Sequence, residues 1–121
     1  MKIYRLEHRD TGRGPHAAAF PETSDTAAAW ELVGEDAGAS SPNRPSPRED
    51  FGMSWQEELT QRFNCTPGEI IFGCESYEAL QAWFSGELFE LLLHAGHEVK
   101  IYNVPKERAF RGEKQVAFVK P

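Results

Sequence analysis

The pattern of apolar residues is densest between Gly68 and Val104, where its period changes along the chain. Ile70–Phe72 is a continuous apolar run, which is typical of a central strand covered on both faces. After it, the apolar residues recur every three or four positions, which is the spacing of an amphipathic helix. They are Tyr77, Leu80, Trp83, Phe84, Leu88, Leu91, Leu92 and Ala95. The stretch therefore predicts strand, turn, helix, second helix and strand, and we expect the core to be built on it.

Capping residues divide this helical stretch in two. Ser76 is suited to cap the first helix, and Ser85 is a second capping residue in the middle of the apolar stripe. Gly96 stands where a left-handed residue is wanted to end the second helix. We therefore predict two helices rather than one kinked helix.

Similar signals place further elements on the N-terminal side. Residues 2–8 form a short mixed run without a helix cap, which we interpret as a strand. Ser54 and Glu57 have the spacing of a capping box ahead of a helix, and Asn64 is suited to end that helix in a left-handed conformation.

The two apolar runs at the C-terminal side, 97–104 and 114–119, predict strands that we expect to pair antiparallel. The whole pattern predicts a single α+β domain over residues 1–121, with helices packed on a small, mostly antiparallel sheet. The strands are expected near residues 2–8, 69–73, 98–104 and 114–119. The three or four helices are expected near residues 25–33, 55–63, 77–84 and 87–95.

Residues 34–50 include three prolines and show no periodicity, which predicts a long loop. A long ordered loop in a compact domain is often functional, and a mobile surface insert is the alternative. Arg44 and Asp50 are then either solvated loop charges or part of an ion-paired loop held over a site. If the loop binds a partner, Arg44, Glu49 and Asp50 are the candidate partner-binding residues. Asp36 joins Glu49 and Asp50 in a candidate carboxylate cluster.

Composition narrows the classes of function. The formal net charge of −6 disfavours broad binding to nucleic acid, which needs a basic surface, and is compatible with docking on a basic protein. The apolar runs are too short for a membrane span. Cys65 and Cys74 lack the spacing of a zinc site, and we expect reduced thiols in a cytoplasmic protein without a signal peptide. His94 and His97 have no evident third ligand, so we expect no metal site.

Three short sets of residues stand in an order that resembles the ADP-ribosyltransferase superfamily. Arg5 lies on the first strand, Cys74-Glu75-Ser76 closes the middle strand, and Glu113-Lys114-Gln115 opens the last one. Some members of that superfamily have an arginine, a Ser-Thr-Ser sequence and a Glu-x-Glu sequence at these places. The resemblance implies a cleft that holds nicotinamide adenine dinucleotide (NAD), with Arg5, Ser76 and Gln115 as site residues.

The sequence departs from that pattern at two points. Cys74-Glu75 replaces Ser-Thr, and Gln115 stands where the catalytic glutamate is expected. A glutamine carries no charge to stabilise a developing cation, so transferase activity is not expected even on that fold. From the residues alone, Arg5 is more simply a strand arginine paired with a carboxylate such as Glu7 or Glu113.

A second resemblance covers more of the chain. The series YRLEH-x3-G-x-GP, RPSPRED, FGCESYEALQAWF, VKIYNV and EKQVAF resembles small proteins carried by bacteriophages and prophages. The resemblance implies an accessory function, such as inhibiting a host defence system (CRISPR, for example) or altering a host enzyme by binding it. We therefore expect a phage-type protein without a cofactor that masks a host protein in the host cytoplasm. An enzyme or degenerate enzyme with an NAD cleft is the alternative.

Overall fold

The computed structural model describes residues 1–16, 24–35, 44–84 and 86–121, and within them the chain forms five α-helices and five β-strands. The strands are β1 (Lys2–His8), β2 (Ile70–Gly73), β3 (His97–Asn103), β4 (Ala109–Arg111) and β5 (Val116–Val119). The helices are α1 (Ser24–Leu32), α2 (Pro47–Phe51), α3 (Trp55–Phe63), α4 (Tyr77–Trp83) and α5 (Glu87–His94). Short 3-10 turns at Pro67–Glu69 and Lys106–Arg108 precede β2 and β4. The predicted single α+β domain is confirmed.

Two small antiparallel sheets meet at one point of the first strand. β1 pairs with β3, and β5 lies between β2 and β4 in the second sheet. Tyr4 and Cys74 join the sheets by exchanging two backbone hydrogen bonds, each with an N···O distance of 2.7 Å. Gly73 makes this approach feasible, because a Cβ there would lie 2.6 Å from Cγ2 of Ile3 and 2.7 Å from the carbonyl oxygen of Tyr4.

The predicted pairing of residues 97–104 with residues 114–119 is wrong. β3 pairs with β1 instead, in a register that places Lys100 opposite Arg5. The partner of β5 in the C-terminal hairpin is β4, which sequence analysis placed in a connecting segment. β2, expected to be central, is an edge of its sheet, and all four residues of the central strand β5 are buried. β4 has only three residues, which is too short for its apolar pattern to predict a strand. Its presence nevertheless determines the pairing of β5 in the hairpin.

Most helix ends follow the sequence signals. The Ser76 hydroxyl accepts a hydrogen bond from the amide of Ala79 at 3.0 Å, and Asn64 ends α3 with φ +51°. Gly96 follows α5 with φ +96°, as predicted, and α4 and α5 are separate helices. Ser85, the predicted cap between them, lies outside the described residues.

The predicted capping box at Ser54 is wrong, because the Ser54 side chain makes no capping hydrogen bond. A capping box lies eight residues earlier, between Ser46 and Glu49. The amide of Glu49 donates to Ser46 Oγ, and the amide of Ser46 donates to Glu49 Oε1. It starts α2 inside the segment predicted to be a loop. Residues 36–43 of that segment lie outside the described residues.

The core extends beyond the stretch on which it was expected. One cluster packs α1, α4 and α5 against β1 and includes Leu6, Trp30, Leu80, Leu88 and Leu92. A second packs α3 on the three-stranded sheet and includes Leu59, Phe63, Ile70, Ala117 and Val119. A third, with Ile3, Val104, Val116 and Phe118, lies where the sheets meet. Burial of these side chains is the main stabilising contribution. In the described part of the chain, no helix is long and apolar enough to cross a membrane.

A buried histidine pair links β1 and β3 to α1. His97 is 4% exposed, its Nε2 lies 2.8 Å from Thr26 Oγ1, and its ring packs edge-on against His8 at 5.3 Å between centroids. Its Nδ1 is buried and has no hydrogen-bond partner among the described residues. Burial lowers the pKa of His97 to about 4, and the nearby His8 and Arg5 add to the effect.

The pKa of His97 predicts that the protein loses stability on acidification. In the unfolded chain the imidazole takes up a proton below pH 6.5, whereas in the fold it stays neutral down to about pH 4. Between these values the free energy of unfolding should fall by up to about 1.4 kcal/mol per pH unit from this group. Urea unfolding of His97→Gln at pH 7 and pH 5 should show a smaller loss than the wild type. The exposed-site variant His94→Gln should keep the full loss, and equal pH slopes for all three proteins would contradict the prediction.

Candidate functional site

A cleft of about 420 Å³ lies where the two sheets, α4 and the segment before α2 come together. β1 and β2 provide one side, α4 and the residue after it provide another, and the residues around His16 and Arg44 form the rim. The lining residues within the described part of the chain are 5–6, 14–16, 44–47, 70–74, 80, 83, 84 and 115. Most of the cleft surface is apolar, and a few polar side chains reach it.

Arg5 is the cationic side chain that β1 brings to the cleft. Its Nε donates to Glu7 Oε2 at 2.9 Å, and its terminal nitrogens donate to the carbonyl oxygens of Phe72 and Gly12 at 2.8 and 3.4 Å. The predicted pairing of Arg5 with a carboxylate is confirmed, with Glu7 as the partner. Glu7 also accepts a hydrogen bond from the hydroxyl of Tyr102 at 2.8 Å. Burial and this hydrogen bond raise the pKa of Tyr102 to about 12.

Arg44 holds the segment before α2 against two helices. It is 5% exposed, donates to the carbonyl oxygen of Trp83 at 3.1 Å, and forms an ion pair with Glu35. Its guanidinium lies over the ring of Trp30, 5.2 Å from the centroid. Arg44 is therefore an internal contact rather than a solvated loop charge, and it fixes one rim of the cleft.

Asp50 holds the other end of this segment against the turn between β4 and β5. Its carboxylate accepts hydrogen bonds from the backbone amides of Glu113, Lys114 and Gln115. The side-chain Nε2 of Gln115 donates in return to the carbonyl oxygen of Pro45 at 3.1 Å. These contacts join residues 45–50 to the turn, and they place Gln115 at the cleft.

The structure brings together two of the three residues implied by the transferase resemblance. Arg5 and Gln115 line the same cleft, whereas Ser76 is outside its described lining and serves as the N-cap of α4. Glu49 is exposed at the start of α2, in the capping box. The partner-binding role of Arg44, Glu49 and Asp50 stays a prediction. Asp36 of the candidate carboxylate cluster lies outside the described residues.

Sequence reasoning missed two aromatic side chains at the rim. Trp83 packs against the core, as predicted, but it is half-buried and also lines the cleft, where its Nε1 lies 3.2 Å from His16 Nε2. The His16 ring is also close to Trp30 and Phe84, with centroids 5.2 and 5.7 Å away. His16 follows a glycine-proline turn, and only the tertiary fold shows that this turn reaches α4.

Cys74 lines the cleft as a buried thiol that is poorly suited to act as a nucleophile. It is 3% exposed, and burial, together with the charge of Glu75, raises the pKa of its thiol to about 12. Within the described residues, no three potential ligands among His, Cys, Asp and Glu side chains form a group that could hold a metal ion.

The two cysteines should therefore react very differently with a thiol reagent. Cys65 is partly exposed, whereas Cys74 is buried and stays protonated at neutral pH. Titration of the native protein with Ellman's reagent at pH 8 should release one equivalent quickly, and guanidinium should release the second. Cys65→Ser should abolish the fast reaction. Fast reaction of both thiols in the native protein would contradict the buried position of Cys74.

Comparison with known proteins identifies the family to which this chain belongs. The family model described as "Bacteriophage T4 Y00F protein" matches residues 1–121, which is the full length given. The match gives no support to the resemblance to ADP-ribosyltransferases. No curated protein matches the chain. No solved structure matches it either. The chain belongs to this family of bacteriophage proteins, in agreement with the resemblance of its sequence to small accessory proteins of phages.

Proposed function

We propose that this phage accessory protein acts in the host cytoplasm by binding a host protein and masking a basic, nucleic-acid-binding surface. A component of a host defence system, such as a CRISPR complex, is a partner of this kind. The main observation behind the proposal is the uneven distribution of charge along the chain. Residues 63–99 contain six glutamates and no lysine or arginine, whereas the remaining residues contain thirteen acidic and thirteen basic side chains. The whole net charge therefore belongs to one continuous stretch.

That stretch presents exposed acidic side chains on α4 and α5. Glu78, Glu87 and Glu90 are exposed, and none of them takes part in an ion pair in the described part of the chain. Tyr77, next to Glu78, is 40% exposed and packs edge-on against Phe89 at 5.9 Å between ring centroids. We refer to Tyr77, Glu78, Glu87 and Glu90 as the acidic face.

The acidic face has the chemistry that a basic protein surface recognises. Complementary charge raises the rate of encounter and selects partners, and a partly exposed tyrosine supplies contact area at a small cost in conformational entropy. Arg44 and Asp50 use their charges for internal contacts, so the proposed surface lies on α4 and α5. The glutamates also stand in the first turns of their helices, where they interact favourably with the helix dipole. A test must therefore separate binding from stability.

The test is a pull-down with a matched pair of triple variants. The tagged protein is incubated with the heparin-retained fraction of a bacterial host lysate, which is rich in nucleic-acid-binding proteins, with and without NAD. Glu78→Gln, Glu87→Gln and Glu90→Gln together should lower capture of a stoichiometric partner at least tenfold. The control changes Glu57, Glu58 and Glu107, which are also exposed and in first helical turns, to glutamine.

The control should capture as much partner as the wild type, and both variants should have similar melting temperatures. Added DNA should compete with capture, because it occupies the surface that is masked. Equal capture by both triple variants would contradict the proposal. An NAD-dependent mass shift on a host protein would replace it with the transferase alternative.

A further inference from the structure

The cleft between β1, β2 and α4 has the size and lining of a small-molecule site, separate from the acidic face. Its volume of about 420 Å³ lies in the range of ligand pockets, roughly 300–1,000 Å³. Phe72, Trp83 and Phe84 contribute aromatic surface to its wall. Aromatic side chains favour a flat, conjugated molecule, because they gain both burial and ring–ring contact.

Two polar side chains in the wall have hydrogen-bonding capacity to spare. Gln115 is 6% exposed, and while its Nε2 donates to Pro45, its Oε1 accepts no hydrogen bond from the described residues. Arg5 has five N–H groups. Three of them donate to acceptors in the described part of the chain, which are Glu7, Gly12 and Phe72. The wall therefore offers one acceptor and further donors to a molecule in the cleft.

Both arginines among the described lining residues of the cleft are already in ion pairs. Arg5 is paired with Glu7, and Arg44 is paired with Glu35. A phosphate group would need a cation without a partner to compensate for its loss of water, or would have to displace one of these carboxylates. An uncharged ligand needs no unpaired cation to bind, and it does not have to displace a carboxylate.

We propose that this cleft binds an uncharged, planar heteroaromatic molecule of nucleobase or nucleoside size. The ring system lies against the aromatic wall, a donor on its edge binds Gln115 Oε1, and an acceptor receives a hydrogen bond from Arg5. Nucleobases carry donors and acceptors side by side on one edge and have flat faces for stacking. The proposal is independent of the masking function, because neither Gln115 nor the aromatic wall belongs to the acidic face.

The test uses NMR spectroscopy of the 15N-labelled full chain, titrated separately with adenosine, guanosine, cytidine and thymidine. At least one nucleoside should shift the amide resonances of Phe72, Trp83, Phe84 and Gln115, and quench the tryptophan fluorescence, at millimolar concentration. Its 5′-monophosphate should bind at least tenfold more weakly. Gln115→Met, which keeps the length of the side chain and removes both the Oε1 acceptor and the Nε2 donor to Pro45, should weaken nucleoside binding at least tenfold. Lys114→Met, at an exposed position in the same turn, should leave binding unchanged.

The wild-type titration decides the proposal even if Gln115→Met does not fold. Absence of shifts with all four nucleosides would overturn it, as would shifts confined to residues outside the cleft. Tighter binding of the monophosphate than of the nucleoside would also overturn it, because it would show that the guanidinium groups remain open to anions.

Discussion

Replacing Gly73 with alanine should lower the free energy of unfolding by about 3 kcal/mol. The new methyl group would overlap the side chain of Ile3 and the carbonyl oxygen of Tyr4, both less than 3 Å from its carbon. Tyr4 would have to move, and this movement would break its two backbone hydrogen bonds to Cys74, which join the sheets. Because backbone atoms form much of the contact, a change of rotamer cannot relieve it.

Urea unfolding followed by circular dichroism measures this effect. Gly68→Ala is the matched control, because it makes the same substitution in the exposed turn before β2, where a Cβ meets no atom within 4 Å. The control should be neutral or slightly stabilising, since alanine restricts the unfolded chain. If both variants unfolded at the wild-type urea concentration, the close contact between the sheets would be contradicted.

Replacing Asp50 with alanine should also lower the free energy of unfolding by about 3 kcal/mol. The carboxylate accepts hydrogen bonds from three consecutive amides of the turn between β4 and β5, and a charged acceptor makes such bonds stronger. Without it these amides lose their acceptor, and the turn loses its connection to α2. Asp50→Asn should cost less, because the amide oxygen still accepts.

Glu113→Gln is the control for the Asp50 variants. It removes one negative charge from the same turn but keeps the backbone amide that donates to Asp50, so stability should remain within about 0.5 kcal/mol of the wild type. Hydrogen exchange gives a second readout, because the amides of residues 113–115 should lose protection in Asp50→Ala first. Unchanged protection there would show that the turn does not depend on this carboxylate.

The sequence predicted the features that depend on neighbouring residues. Ser76 and Asn64 were identified as helix ends because a cap needs only a short side chain and the next few backbone groups. The segment Ser46-Pro47-Arg48-Glu49 carries a capping-box pattern with proline in the first turn, so the signal for α2 was present, and the surrounding prolines concealed it. Strand partners were predicted less well, because several apolar strands could have paired with β5 and the sequence does not distinguish between them.

Some residues of the site were predicted from the sequence, and others were not. Arg5 and Gln115 were selected by their order along the chain, and they do line one cleft. The contacts of Arg44 with Trp30 and Trp83 were not predictable, because they join helices that only the fold brings together. Likewise, an aspartate in a proline-rich segment gives no indication that it will bind a turn more than sixty residues away.

The register of β1 constrains when the protein can fold during synthesis. Lys2 pairs with Asn103 and His8 with His97, so β1 meets its partner strand only after roughly a hundred further residues have been synthesised. Until then β1 has no partner strand, and the apolar side chains of Ile3 and Leu6 lack the surface that covers them in the native state. The sheet of β1 and β3 can therefore form only after the residues up to Asn103 have left the ribosome.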